Sequence, residues 1–220
     1  MKKLISLIII IALLLIPSFV RAESNKYAVV WGSSGYKGEQ ICGDNNARLM
    51  AHLLIKEYSL GRENIRTSIG RLTTQELLGD LDWLRQNTDE DSTVFIFYSG
   101  HGTMNGVGKF SHYYFNYLLQ DIKYAELCLV FECCYSGNAV NPLSGENRLV
   151  IASTAVNHTG YTTTHSSIFG HYFLNEAIKR GLGDANSDGQ VSMQEAFYYY
   201  HNKNPYLYGT ISDNCGEFFL

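Results

Sequence analysis

At 220 residues the chain has room for one full domain, and a 45% hydrophobic share supplies a core, which excludes global disorder. Its 17 basic against 21 acidic side chains leave a net charge of −4, so no basic footprint points to nucleic acid. No repeat with a period of roughly 20–50 residues is present, which excludes solenoids and propellers.

Lys2 and Lys3 precede an almost unbroken apolar run over residues 4–16. Pro17 breaks the run, and Val20-Arg21-Ala22 offers a small-residue cleavage site. This is the three-part pattern of a secretory signal peptide, so residues 1–22 are expected to be removed. The run is shorter than the roughly 20 residues that span a bilayer, so membrane contact is expected only where the segment stays uncleaved. Residues 23–220 are expected to form one secreted, soluble domain. Losing Lys2, Lys3 and Arg21 leaves 14 basic against 21 acidic residues, a net of −7. The cysteines Cys42, Cys128, Cys133, Cys134 and Cys215 are odd in number, and an odd cysteine in an exported chain is a candidate reactive thiol.

Residues 26–31 read as a short strand running into a glycine- and serine-rich loop. Asp44 or Asn45 then opens a helix with Ala47, Met50, Ala51, Leu54 and Ile55 on one face. Residues 65–69 read as a second strand. Thr73 or Thr74 caps a helix through Leu84, with Glu76 placed for a capping box. Residues 92–98 are β-branched and aromatic, a buried strand. Residues 110–120 read as helical, 127–131 and 149–153 as buried strands, and 168–179 and 193–200 as helices. Residues 218–220 are expected to end the sheet. Alternating strands and helices predict an α/β fold, a mostly parallel central sheet with helices on both faces. In such sheets functional groups gather at the carboxyl ends of the strands.

Two strand ends carry reactive residues. One reads Tyr98-Ser99-Gly100-His101-Gly102, the other Glu132-Cys133-Cys134-Tyr135-Ser136-Gly137. If these strands are neighbours, His101 and Cys134 face each other across a cleft. A thiolate is the effective nucleophile, and an imidazole helps to generate it and then protonates a leaving amine. The amides of Gly102 and Cys134 are candidates for an oxyanion hole.

This pair of motifs resembles the caspase-like clan of cysteine peptidases, which includes caspases, metacaspases, legumains, gingipains and the lipid-anchor transamidase. Residues 29–36 leading to Asp44, and 151–157 with Tyr161, look most like legumains; the Tyr-Ser-Gly-His-Gly stretch is closer to metacaspases. The resemblance covers about residues 26–220. It implies a three-layer α/β/α sandwich and an endopeptidase with a polypeptide substrate, a His101/Cys134 dyad and a thioester acyl-enzyme. A transpeptidase or ligase on the same dyad, or a catalytically silent calcium-stabilised binding domain, are the alternatives. Cys133 departs from the usual small Ala or Ser, and the motif puts the nucleophile at Cys134. The resemblance also implies a specificity pocket containing Glu132, with Asp44 and Ser153. The loop 36–44 lacks the Arg that balances this acid in legumains. A net negative pocket is expected to favour Arg or Lys, with Asn the other option. No long pro-segment precedes the first strand, so activation is expected to involve the loop 138–147.

Residues 184–195 fit the twelve-residue EF-hand loop. Asp184, Asn186 and Asp188 fall at positions 1, 3 and 5, and Gly189 at 6. Gln190 offers its carbonyl at 7, Ser192 sits at 9 and Glu195 at 12. A structural Ca2+ is expected there, and no organic cofactor. The competing reading is an acidic turn that uses Asp and Gly for turn geometry alone.

Overall fold

Runs of aliphatic and aromatic residues without polar alternation build a sheet buried on both faces, as parallel strands require. A computed structural model describes residues 25–33, 42–162, 166–203 and 208–220. In chain order its strands are β1 (Lys26–Gly32), β2 (Ile65–Ile69), β3 (Thr93–Ser99), the short β4 (Gly102–Thr103), β5 (Gly106–Val107) and β6 (Phe110–Ser111), then β7 (Glu126–Glu132), β8 (Arg148–Ala152) and β9 (Thr210–Asp213). The central sheet has the order β2-β1-β3-β7-β8-β9. All its pairings are parallel except that of β8 with β9.

Helices cover both faces. On one lie α1 (Gly43–Lys56), a π-helical segment (Gly170–Ile178) and α5 (Met193–Lys203), sharing a core with Ala28, Val30, Phe95, Phe97, Cys128 and Val130. On the other lie α2 (Thr74–Asn87), α3 (His112–Leu119) and α4 (Gly137–Leu143), packed on Val29, Trp31, Ile96, Leu129 and Phe131. This is the expected three-layer α/β/α sandwich. The period-2 alternation of β7 runs past the strand end. Cys128 and Val130 face the α1 side, and Glu132 falls there too. Leu129 and Phe131 face the α2 side, and Cys133 joins them.

The capping box of α2 forms as expected, with the Thr73 amide donating to Glu76 Oε2 (2.8 Å) and the Glu76 amide to Thr73 Oγ1 (3.2 Å). Three other expectations are corrected, and the helix expected over 168–179 forms with a π-helical winding. Residues 110–120 are not one helix: β6 precedes α3, because the segment after His101 folds into a three-stranded antiparallel ribbon and Ser111 then caps the helix. Residues 170–178 wind as a π-helix, with the Lys179 amide reaching Leu174 O (2.9 Å). Residues 218–220 add no strand. Phe218 instead ties to α5 through Gln194 Oε1 (2.9 Å) and the Met193 amide (3.1 Å), and β9 ends the sheet. The stretch 138–147 begins as helix α4, whose Ala139, Val140 and Leu143 are buried. The leader expected over 1–22, and residues 36–41 of the loop after β1, lie outside the described residues.

Candidate active site

β3 and β7 are adjacent, and Ser99 pairs with Glu132 in register. Their carboxyl ends therefore bring His101 and Cys134 onto the wall of one pocket of about 160 Å³. Ser153, at the end of β8, lines it as well, with Cys42, Phe169 and Tyr200 on the α1 side.

The backbone of His101 is fixed from two sides. Its carbonyl accepts from the Tyr98 hydroxyl (2.7 Å) and from the Gly108 amide (3.1 Å). Burial pushes the Tyr98 phenol up, which keeps that hydroxyl a donor. Gly102 follows because nothing larger fits: a Cβ there would lie 2.2 Å from the Cys134 carbonyl oxygen and 2.6 Å from Cys133 Sγ.

The Cys134 turn is equally constrained. Tyr135 takes φ +59, an uncommon conformation for a residue with a Cβ, and its amide donates to His158 O (2.7 Å). Ser136 is buried and its hydroxyl meets Thr154 Oγ1 (3.0 Å) while accepting from the Thr154 amide (3.2 Å). Gly137 lets the turn lie against the chain after β8, where a Cβ would meet Ala155 C at 2.5 Å. The Ser-Gly of the motif is thus the clamp that holds the Cys134 turn on its neighbour strand. The Cys134 amide donates to no backbone carbonyl among the described residues.

The two adjacent cysteines differ sharply. Cys133 is 5% exposed and packs in the α2-side core, where burial, with Cys134 and Glu132 close by, pushes its thiol up. Cys134 is half-buried on the pocket wall. Among the described residues none of the five cysteines is in a disulfide.

Glu132 forms the pocket floor, 6% exposed. Asn46 Nδ2 donates to both its oxygens (2.8 and 3.0 Å), and the Ser167 hydroxyl donates to Oε1. Ser99 and the Gly170 amide complete the cage. Burial raises the carboxyl pKa, and these hydrogen bonds, Ser167 first, pull it part of the way back. Among the described residues no Lys or Arg pairs with it. Asp44, expected beside it, stands in the first turn of α1 and is not among the pocket's described lining residues; its Oδ1 is buried with no hydrogen-bond partner there. Asn46 and Ser167, absent from the expected pocket, take its place on the Glu132 carboxylate.

The 184–195 loop lies between the π-helix and α5. Its acidic oxygens are taken by its own backbone. Asp184 accepts from the Asp188 (3.2 Å) and Gly189 (3.1 Å) amides, and Asn186 Oδ1 from the Asp188 amide (2.9 Å). Glu195 Oε1 accepts from the Ala185 (2.9 Å) and Asn186 (3.3 Å) amides. Its Oε2 closes a capping box with buried Ser192 (2.9 Å from the amide). Gly189 takes φ +88, as position 6 requires, and the Gln190 amide donates to Asp188 Oδ1 (2.8 Å). Among the described residues no three His, Cys, Asp or Glu side chains converge as metal ligands.

The model of the peptidase C13 family matches residues 69–203. No curated protein matches the chain. The crystal structure of protein GSU0716 from Geobacter sulfurreducens resembles it with a TM-score of 0.61 at 12% identity, over 85% of this chain and 91% of that one. Caspase-1 from Spodoptera frugiperda does so with 0.57 at 11% identity, over 89% and 88%. At these identities the two structures speak for the fold alone, and that fold is caspase-like.

Proposed function

The chain belongs to the peptidase C13 family, a caspase-like family of cysteine peptidases, and we propose that it is an exported endopeptidase acting through His101 and Cys134. The observation that carries the reading is the shared pocket, with both side chains on its wall and Glu132 at its floor. His101 takes the Cys134 thiol proton. The thiolate attacks the scissile carbonyl carbon, and the oxyanion is held by the amides of Cys134 and Gly102. The imidazolium then protonates the leaving amine as the C–N bond breaks. Water, its proton taken by His101, hydrolyses the thioester and returns the thiol.

Glu132, buried and paired with no Lys or Arg among the described residues, supports a preference for Arg or Lys before the scissile bond, over Asn. Its oxygens already accept from Asn46, Ser167, Ser99 and Gly170, so an incoming cation is held by charge and does not displace those donors. Lys and Arg are then accepted about equally, since no bidentate seat is open for the guanidinium.

Peptidyl acyloxymethyl ketones ending in Arg, Lys, Asn or Asp test this by intact mass. The Arg and Lys probes should add to wild type and to Cys133→Ala, slowly to His101→Ala, and not to Cys134→Ala. Labelling that survives in Cys134→Ala, or only with the Asp probe, refutes the assignment.

The same reading includes a structural Ca2+ in the 184–195 loop. It is supported by the match of Asp184, Asn186, Asp188, Gln190, Ser192 and Glu195 to the motif and by the inward turn of the Glu195 carboxylate. Ca2+ would replace the loop amides as partner of these oxygens. Titration calorimetry should detect binding at or below millimolar Ca2+, and a flat titration refutes it.

A further inference from the structure

A second cavity, of about 400 Å³, opens on the other side of His101. His101 is the one residue that the two cavities share among their described lining residues. The Glu132 pocket leans toward the α1 face through Phe169 and Tyr200. The second cavity leans toward the α2 face, on buried Leu72, Leu77 and Tyr98. The two therefore lie on opposite faces of the same carboxyl edge, with the candidate general acid between them.

Their charges are opposite too. The second cavity is rimmed by Arg71, just past β2, and Lys109, in the turn between β5 and β6. Both are exposed, and neither makes an ion pair or side-chain hydrogen bond among the described residues. No acidic side chain is among the described residues lining the cavity, although the chain as a whole carries −4.

A peptide whose scissile bond lies between Cys134 and His101 must run from one cavity to the other. Its leaving amine has to reach the imidazole, so the residues after the bond enter the second cavity. We infer that this cavity selects a carboxylate within the first two residues after the scissile bond, with Arg71 and Lys109 as specificity-determining residues. The inference rests on the peptidase reading of His101 and Cys134 and adds its substrate polarity: a basic residue before the bond, an acidic group after it. Two exposed charge pairs give a modest effect, screened by salt.

The test uses amidated peptides identical up to an Arg at the scissile bond and carrying Glu, Gln or Lys in both of the next two positions. A fourth peptide has Gln there and ends in a free carboxylate, which separates a side-chain acid from a chain terminus. Binding is read by fluorescence anisotropy on the full-length Cys134→Ala protein and turnover as kcat/KM on wild type. The Glu peptide should bind and react about fivefold or more better than the Lys peptide at low salt. The gap should narrow at high salt. It should vanish with Arg71→Gln/Lys109→Gln and invert with Arg71→Glu/Lys109→Glu. Better binding of the free-carboxylate peptide than the Glu peptide would assign the cavity to a chain terminus and overturn the side-chain form. Equal Kd values for Glu, Gln and Lys, or a Glu preference unmoved in both double variants, overturn the inference. A Glu preference in binding without turnover of any peptide would leave the cavity reading standing and sink the peptidase reading.

Discussion

The carboxylate at the pocket floor and those of the 184–195 loop are held in opposite ways. Glu132 is buried, and its donors come from α1, β3, the chain before the π-helix, and the first residue of that helix. Asp184, Asn186 and Glu195 are satisfied mostly by amides within ten residues of themselves, on a largely exposed loop. The first arrangement exists only when the whole fold has assembled. The second can form locally and be given up locally, since water replaces each amide at little cost. A buried carboxylate needs its cage, whereas an exposed one is available to a cation.

Removing the floor is the largest break. Glu132→Ala strands Asn46, Ser99 and Ser167 in a buried site and should cost roughly 2–4 kcal/mol in urea unfolding, with the preference for Arg and Lys probes lost. A change under about 0.5 kcal/mol would mean that the cage is not a structural unit. Asn46→Ala comes next, at roughly 1–3 kcal/mol, because it removes the donor shared by both oxygens.

The pH dependence separates the two carboxylate groups further. Burial raises the folded pKa of Glu132 above its ordinary value of 4.5. The folded state then holds this proton more tightly than the unfolded chain does. The contribution is full below the ordinary carboxyl range and is lost as pH rises through the raised folded value. Asn46→Ala weakens the ionised form further, so its stability deficit should grow as pH rises through the folded value. The preference for Lys over a neutral side chain should also strengthen with pH over that range, as the floor gains its charge. A deficit and a preference that are both flat with pH would leave Glu132 ionised throughout.

His101 and Cys134 stood out in the sequence because each lies in a local signal, a buried strand followed by glycine-flanked reactive residues, and the structure places both on one pocket wall. Alternation along β7 likewise separated Cys133 from Cys134, and the structure buries the first and leaves the second on the pocket wall. The cage was not legible, since Asn46 lies 86 residues and Ser167 35 residues from Glu132. One trace existed: Asn46 is a polar residue next to Ala47 on the inward face of α1. Asp44, drawn into the expected pocket by its charge, stands two residues earlier on that helix and is not among the pocket's described lining residues. The ribbon after His101 escaped notice because two-residue strands have no alternation to read, and β9 because a half-buried antiparallel edge carries a weak pattern.

The smallest expected effect tests the loop. Without added metal, Glu195→Gln keeps one oxygen for the Ala185 amide but loses the charge and the acceptor of the Ser192 amide, so its stability should lie within about 1 kcal/mol of wild type. With millimolar Ca2+ the two should part. Wild type should gain stability as RT ln(1 + [L]/Kd), roughly 1.4 kcal/mol at a tenfold excess over Kd, and the variant should gain almost nothing because it has lost the bidentate ligand. Ca2+ bound there would act on a loop that links the π-helix to α5, and Tyr200 of α5 donates to Ser153 O (2.6 Å) on the rim of the Glu132 pocket. Loop and floor are therefore connected through one helix. A Ca2+-dependent midpoint in wild type, absent in Glu195→Gln, would make the loop a cation site that steadies α5. Identical midpoints with and without Ca2+ would make Glu195 only the capping partner of Ser192.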